Sequence, residues 1–219
     1  SIEKATFVPP NPLQLMDYLL EWERYLGTND FDPLAQSAIV HAQFEILHPF
    51  KDGNGRIGRL LIPLFLFEKG RLASPMFYLS EYLEANRDEY YARLKAITAE
   101  DDWTGWIAFF LRAITHQAKA NIERTRQIMA LYEDMKKRVR EITHSQHSAV
   151  LVDALFDRPI FKVADFASRA SIPKPTAHVL VKQLEGGGIL KTIRKGAGRR
   201  AAILAFPELL NLAEGRKVF

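Results

Sequence analysis

Apolar positions recur every three or four residues through most of residues 1–144, which predicts a succession of amphipathic helices. Ahead of them, residues 2–8 alternate weakly and run into Pro9-Pro10, the pattern of a short strand closed by prolines. Asn11 followed by Pro12 marks a helix start, and that helix runs to Leu26 before Gly27. Asp32-Pro33 repeats the signal, with Leu34, Ile39, Phe44 and Leu47 carrying a second helix. A glycine-rich loop, Lys51-Asp52-Gly53-Asn54-Gly55, precedes a third from Arg56 to Lys69, ended by Gly70. Its run Leu60–Phe67 is apolar enough to place it centrally in a bundle. Pro63 inside it should kink the helix or be tolerated near its first turns. One or two helices fit residues 80–98, and Trp103 to Thr143 reads as helix with a single glycine.

Near Ser145 the pattern changes. Residues 148–157 predict a short helix, Ile160–Val163 a strand, Asp165–Ala170 a helix, and Pro175–Glu185 a second helix after the turn Ser171-Ile172-Pro173. Gly186-Gly187-Gly188 stops that helix. Residues 189–193 and 201–205 then predict two strands around the basic turn Arg194-Lys195-Gly196-Ala197-Gly198-Arg199-Arg200. This order is that of a winged helix-turn-helix. The sequence thus predicts a mainly α protein in two domains, residues 1–144 and 145–219.

Composition supports two modules. The 219 residues are 47% hydrophobic and 26% charged, ordinary for a globular protein. Residues 145–219 hold twelve Lys and Arg against six Asp and Glu; the remainder holds eighteen against twenty. A basic tail on a near-neutral body implies different partners for the two parts. The absence of cysteine excludes a disulfide framework, a thiolate metal site and a thiol nucleophile. No signal peptide is visible, and charges interrupt each apolar stretch well short of a spanning helix. Cytoplasmic location without membrane attachment is the default expectation. The start at Ser1, inside apparent structure, suggests an N-terminally truncated or processed chain.

The chemistry lies in His48-Pro49-Phe50-Lys51-Asp52-Gly53-Asn54-Gly55-Arg56-Ile57-Gly58-Arg59. Glycines on either side of Asn54 permit backbone in which successive N–H groups converge, and the helix that follows adds its own unpaired N–H groups and positive dipole end. Arg56 and Arg59, three residues apart, share a face near that helix start. Two guanidiniums beside an anion hole suit a polyphosphate. Asp52 is a hard oxygen ligand suited to Mg²⁺ next to phosphates. His48 ends the preceding helix and can accept a proton from an incoming hydroxyl. Together these groups describe nucleophilic attack on a nucleoside triphosphate. His41, seven residues before His48 on the same helix face, reads as a packed helix residue, and Trp103, Trp106, Phe109 and Phe110 read as core.

This segment resembles the signature of the Fic family, H-P-F-x-D/E-G-N-G-R-x-x-R, at every defined position. His41-Ala42-Gln43-Phe44-Glu45, Phe7-Val8-Pro9-Pro10 and Asn86-Arg87-Asp88-Glu89-Tyr90-Tyr91 extend the likeness to bacterial Fic proteins that carry a C-terminal winged helix. The resemblance implies a Fic-type helical bundle with a short flap strand, and transfer of AMP from ATP to a Ser, Thr or Tyr hydroxyl of a target protein with release of pyrophosphate. It implies His48 as general base, Phe50 as a core anchor for the loop and Asp52 as the Mg²⁺ ligand. Gly53, Asn54, Gly55, Arg56, Gly58 and Arg59 would bind the nucleotide phosphates, and Tyr90 and Tyr91 the base or ribose. Residues 2–8 look like the second strand of a hairpin that pins the target peptide. Self-modification and a homodimer are compatible with this family.

One departure stands out. The inhibitory pattern [S/T]-x-x-x-E-[G/N] is missing: Glu185-Gly186 and Glu214-Gly215 fail because Val181 and Leu210 occupy the Ser or Thr position. The expectation is that this segment lies upstream of Ser1 or comes from a partner chain. The signature does not choose between ATP and another nucleotide, nor between AMP transfer and AMP removal. The basic turn, with Lys174, Thr176, His178 and Lys182 on or beside the second helix, keeps open a DNA-binding regulator whose Fic site is modulatory. A scaffold without turnover is the third alternative.

Overall fold

The computed structural model describes residues 10–29, 32–197 and 200–219. The predicted strand at 2–8, and Arg199 of the basic turn, lie outside the described residues.

Two compact units divide within one long helix, between Lys119 and Ala120. Among the described residues the regular elements of the first unit are all helices. Helix α1 spans Leu15–Gly27. It starts later than Asn11-Pro12 suggests, because the Asn11 side chain closes a local turn by accepting the Leu13 N–H at 3.0 Å. Helix α2 spans Pro33–Leu47, and Asp32 caps it by accepting from the N–H groups of Leu34 and Ala35 at 2.7 and 3.4 Å. Helix α3 spans Asn54–Glu68. Pro63 is buried well inside it, beyond the first turns, and the helix runs through. The ring removes only the N–H that would bond the Arg59 carbonyl. Helices α4, Ser80–Ala85, and α5, Arg87–Glu100, follow.

Helix α6, Trp103–Thr143, is unbroken over 41 residues. Its N-terminal part buries Trp106, Phe109, Phe110 and Ala113 completely, in one core with Ala38, Ile62, Phe65, Leu66 and Leu79. Helix α2 sits at the middle of this core. Indole N–H groups hold it from two helices: Trp106 donates to the Ala38 carbonyl at 2.8 Å and Trp22 to the Val40 carbonyl at 3.0 Å. A buried indole N–H keeps its place only with such a partner.

The C-terminal part of α6 belongs to the second unit. Leu131, Met135 and Val139 share a core with Leu151, Leu155, Phe166, Leu184 and Phe206. The sequence pattern breaks at 144/145 because α6 ends there. The packing divides earlier, because the apolar face of α6 changes partners along its length. Then come α7 Ser148–Asp157, β1 Ile160–Phe161, α8 Val163–Arg169, α9 Lys174–Gly186, β2 Lys191–Arg194 and β3 Ile203–Ala205. The antiparallel sheet has the order β1-β3-β2, with Ile160 opposite Ala205 and Thr192 opposite Leu204. Helix α10, Pro207–Glu214, has no counterpart in the sequence reading. Its eight residues start at a proline, the cue that sequence could have offered.

Candidate active site at the start of α3

His48 terminates α2 in the left-handed conformation, φ 47° and ψ 55°. A non-glycine residue there is uncommon, and it swings the chain out of the helix into the loop. The His48 side chain is exposed. Gly53, at φ 87°, turns the chain back and stands at the N-cap of α3; a side chain there would be strained. Between the two turns Asn54 acts as a clasp. It is buried, its Nδ2 donates to the Phe50 carbonyl at 2.6 Å, and its Oδ1 accepts the Phe50 N–H at 2.9 Å.

Phe50, expected as a core anchor, is 49% exposed. Its ring touches only the edge of the core, 6.4 Å from Phe44. The loop is anchored through the Phe50 backbone and the amide of Asn54, because two hydrogen bonds from a buried amide fix a tight turn better than an apolar ring facing water.

The N–H groups of Asn54 and Gly55 open the first turn of α3 with no carbonyl partner inside the helix, while those of Arg56 and Ile57 bond the Gly53 carbonyl at 3.0 Å each. N–H groups without an intrahelical partner and the positive helix end give this point an electrostatic preference for anions. The two arginines beside it differ. Arg56 is exposed and lies 3.4 Å from Asp52, whose side chain is 93% exposed. Arg59 is half-buried and folds over the first turn: a Cβ added at Gly55 would lie 3.1 Å from its Nη1.

Behind the loop lies a buried polar layer that sequence reasoning assigned to packing or passed over. His41 bonds the Gly58 carbonyl through Nδ1 and the Tyr90 hydroxyl through Nε2, both at 3.0 Å. A carbonyl only accepts, so Nδ1 carries the proton and Nε2 accepts from Tyr90. Burial, with help from the Arg59 charge, lowers the His41 pKa to about 4. The ring is therefore neutral at pH 7 and ties α2 to α3 and α5. Glu45 is the residue sequence reasoning missed. Among the described residues its Oε1, buried, has no hydrogen-bond partner. Burial raises its pKa, opposed by the charge of Arg59. A Cβ at Gly58 would collide with Glu45 Oε1 and approach His41 Cε1 to 3.3 Å. Gly58 is thus needed for the close approach of α2. The signal was available in the helical spacing of His41 and Glu45, four residues apart on one face.

Tyr90 and Tyr91 part company. Tyr90 is 5% exposed and its hydroxyl is committed to His41; its pKa is pushed far up, by burial first and by Glu45 second. Tyr91 is 55% exposed, with its ring 5.1 Å from that of Tyr90. Both line one small pocket with Arg59.

A loop that joins a left-handed histidine, a clasped asparagine and a glycine-started helix is a local design that can be sought in other proteins. Residues 1–66 match the Fic/DOC family. The chain is similar to the protein adenylyltransferase fic-1 of Caenorhabditis elegans, 32% identical over 121 residues, 54% of this chain and 22% of that protein. It is also similar to a probable protein adenylyltransferase of Aquifex aeolicus (strain VF5), 38% identical over 87 residues, 38% of this chain and 27% of that protein. The chain therefore spans about a quarter of the length of these curated relatives. In fold it resembles a Fic family protein from Desulfovibrio desulfuricans G20, with a TM-score of 0.52 and 19% identity over 90% of this chain and 56% of that one. The Fic/DOC match covers α1, α2, the loop and most of α3, so His48, the loop and Arg59 all fall inside it. Proteins named protein adenylyltransferase are thus among those that this chain is similar to.

Proposed function

We propose that the first unit is a protein adenylyltransferase that moves AMP from ATP to a Ser, Thr or Tyr hydroxyl of a protein. The observation that carries this reading is the start of α3: the Asn54 and Gly55 N–H groups, without a partner inside the helix, framed by Gly53 and the Asn54 clasp, with two arginines beside them and His48 at the other end of the loop. The loop N–H groups, Arg56 and Arg59 hold the phosphates. The target oxygen attacks the α-phosphorus and forms a new P–O bond. The bond from that phosphorus to the oxygen bridging to the β-phosphate breaks, pyrophosphate leaves, and His48 takes the hydroxyl proton. Tyr91, the exposed member of the tyrosine pair, contacts the nucleoside; Tyr90 supports it from below.

The donor set suits Mg²⁺ only together with nucleotide. Among the described residues no three His, Cys, Asp or Glu surround one point. Asp52 stands alone and exposed, which fits an ion that takes one or two carboxylates and completes its shell with phosphate oxygens and water. Asp52 would hold it, at the cost of releasing Arg56, and the ion would neutralise phosphate charge.

The second unit reads as a winged helix that docks on nucleic acid. Lys174, His178 and Lys182 form an exposed row on α9 at four-residue spacing, and the exposed Arg194 and Lys195 precede Ala197, whose backbone pairs with that of Arg200. Among the described residues no helix is long and apolar enough to cross a membrane. The enzyme reading is tested by incubating the protein with Mg²⁺, a cell lysate and ATP labelled at either the α- or the γ-phosphate. Protein labelling from the α-label alone is expected; labelling from the γ-label would make the reaction phosphoryl transfer and overturn the reading. UTP labelled at the α-phosphate, added in parallel, identifies the preferred base.

A further inference from the structure

Another cavity of the first unit lies where α2 and α5 end. Its volume is about 410 Å³, within the range of small-ligand sites. Its walls are aromatic: Tyr18 and Trp22 from α1, and Trp103 from the start of α6. The Trp22 indole is held by its bond to the Val40 carbonyl, and both tryptophans are half-buried. The lining carries two carboxylates, Glu21 and Asp101, and no Lys, Arg or His. Leu47 brings the last turn of α2 to the cavity, and Ile97 brings the last turn of α5. A helix C-terminus carries negative partial charge and is stabilised by a basic residue. Neither of these two has one in its last turn, and α5 is capped instead by Asp101. The positive end of α6 does not offset this charge, because Asp102 already caps it, accepting the Gly105 N–H at 2.8 Å. Gln43 lines the same cavity, and its buried Oε1 has no hydrogen-bond partner among the described residues. Aromatic walls, two carboxylates, two negative helix ends and an unused acceptor all favour a cation with N–H donors.

We propose that this cavity receives a lysine or arginine side chain of the acceptor protein and so selects hydroxyls that have a basic residue nearby. This rests on the reading of the first unit as a protein adenylyltransferase. Charge complementarity selects the cation. The apolar part of the lining, Ile46, Leu47 and Ile97, selects a cation on an aliphatic stem, which packs its methylenes there while its head meets the carboxylates. Position selects a protein as its source. Leu47 is the residue before His48, so the cavity adjoins the end of the loop at which the hydroxyl gives up its proton. An acceptor chain at His48 therefore carries its neighbouring side chains past the cavity.

The test follows the indole N–H resonances of the full chain while N-acetyl-arginine methylamide, its lysine counterpart or the uncharged norleucine counterpart is added. Trp22 and Trp103 line the cavity, whereas Trp106 is buried in the core and serves as the internal reference. The two basic probes should move Trp22 and Trp103 saturably and leave Trp106 in place, with norleucine weaker by about tenfold or more. Glu21 and Asp101 are exposed, so the double variant Glu21→Gln, Asp101→Asn keeps the fold. It should lose about tenfold in affinity for the basic probes while ATP affinity stays within about twofold. Equal binding of norleucine, unchanged affinity in the double variant, or no movement of Trp22 and Trp103 would overturn the cation site. The same double variant should transfer α-phosphate label from ATP to lysate proteins about fivefold less than the unaltered protein. Undiminished transfer would overturn the role in acceptor choice while leaving the enzyme reading intact. Probe binding by an unaltered protein that labels no protein at all would overturn the enzyme reading, and this role with it.

Discussion

The molecule has two cationic regions that differ in how their charge is held. At the start of α3, Arg59 is half-buried and the backbone around it is fixed by a buried asparagine, a glycine at positive φ and a layer of hydrogen bonds through His41. On the second unit, Lys174, His178, Lys182, Arg194 and Lys195 are exposed and project from regular elements. The first arrangement is preorganised and suits a ligand of fixed geometry, such as a polyphosphate in reaction. The second is adaptable and solvated, and suits a repetitive anion whose binding is governed by salt.

That contrast can be broken from the preorganised side first. Gly58→Val should remove the site and much of the unit's stability, because the new side chain meets Glu45 and His41. A loss of roughly 3 kcal/mol or more is expected, read as a lowered thermal midpoint of the first unit. An unchanged midpoint would mean that α2 and α3 separate at little cost.

The next effect is a dependence on pH. His41 has a folded pKa of about 4, below the ordinary histidine value of 6.5. The unfolded chain therefore binds this proton first, and stability falls as pH drops from 6.5 toward 4, by about 3 kcal/mol in total for a fully buried imidazole. Glu45, raised by burial, acts in the opposite sense, favouring the folded state at low pH and losing that contribution as pH rises through its folded pKa. Denaturant titrations across this window should show the loss, and His41→Gln should flatten it. An identical slope in the variant would assign it to other groups.

A smaller effect separates the two arginines of the loop. Arg59→Ala should weaken ATP about tenfold, and AMP less, in a binding titration. Arg56→Ala should do less, since Arg56 is exposed and shared with Asp52. Equal losses would dissolve the distinction between a held and a free guanidinium. Smallest in free energy is the test of the second region. Replacing Lys174 and Lys182 by Ala should lower the log–log salt slope of duplex DNA binding by about 2, measured by fluorescence anisotropy. A flat response to salt would favour a protein partner for this face.

Much of this was legible in the sequence because it is local. Asp32-Pro33 fixed the start of α2, and the glycines around Asn54 located the loop and the start of α3. Depth was harder to read. Phe50 is apolar but lies at the rim, whereas Asn54 is polar and buried, since its amide finds both partners in the Phe50 backbone. Tyr90 and Tyr91 are adjacent and chemically identical, yet only the three-dimensional position of His41 decides which one is committed. Glu45 takes its meaning from the nearby charge of Arg59, and no spacing rule connects α2 and α3. The division of α6 between two cores was likewise hidden, because its helical periodicity continues without interruption.

The central claim is that His48 serves the transfer and the α3 start serves the nucleotide, as separable functions. The direct measurement compares the protein with His48→Ala, using ATP labelled at the α-phosphate and a binding titration on the same preparations. Transfer of label to protein should fall by about 10²-fold or more while ATP affinity stays within about twofold, as removal of a general base predicts. Undiminished labelling by His48→Ala would contradict the account.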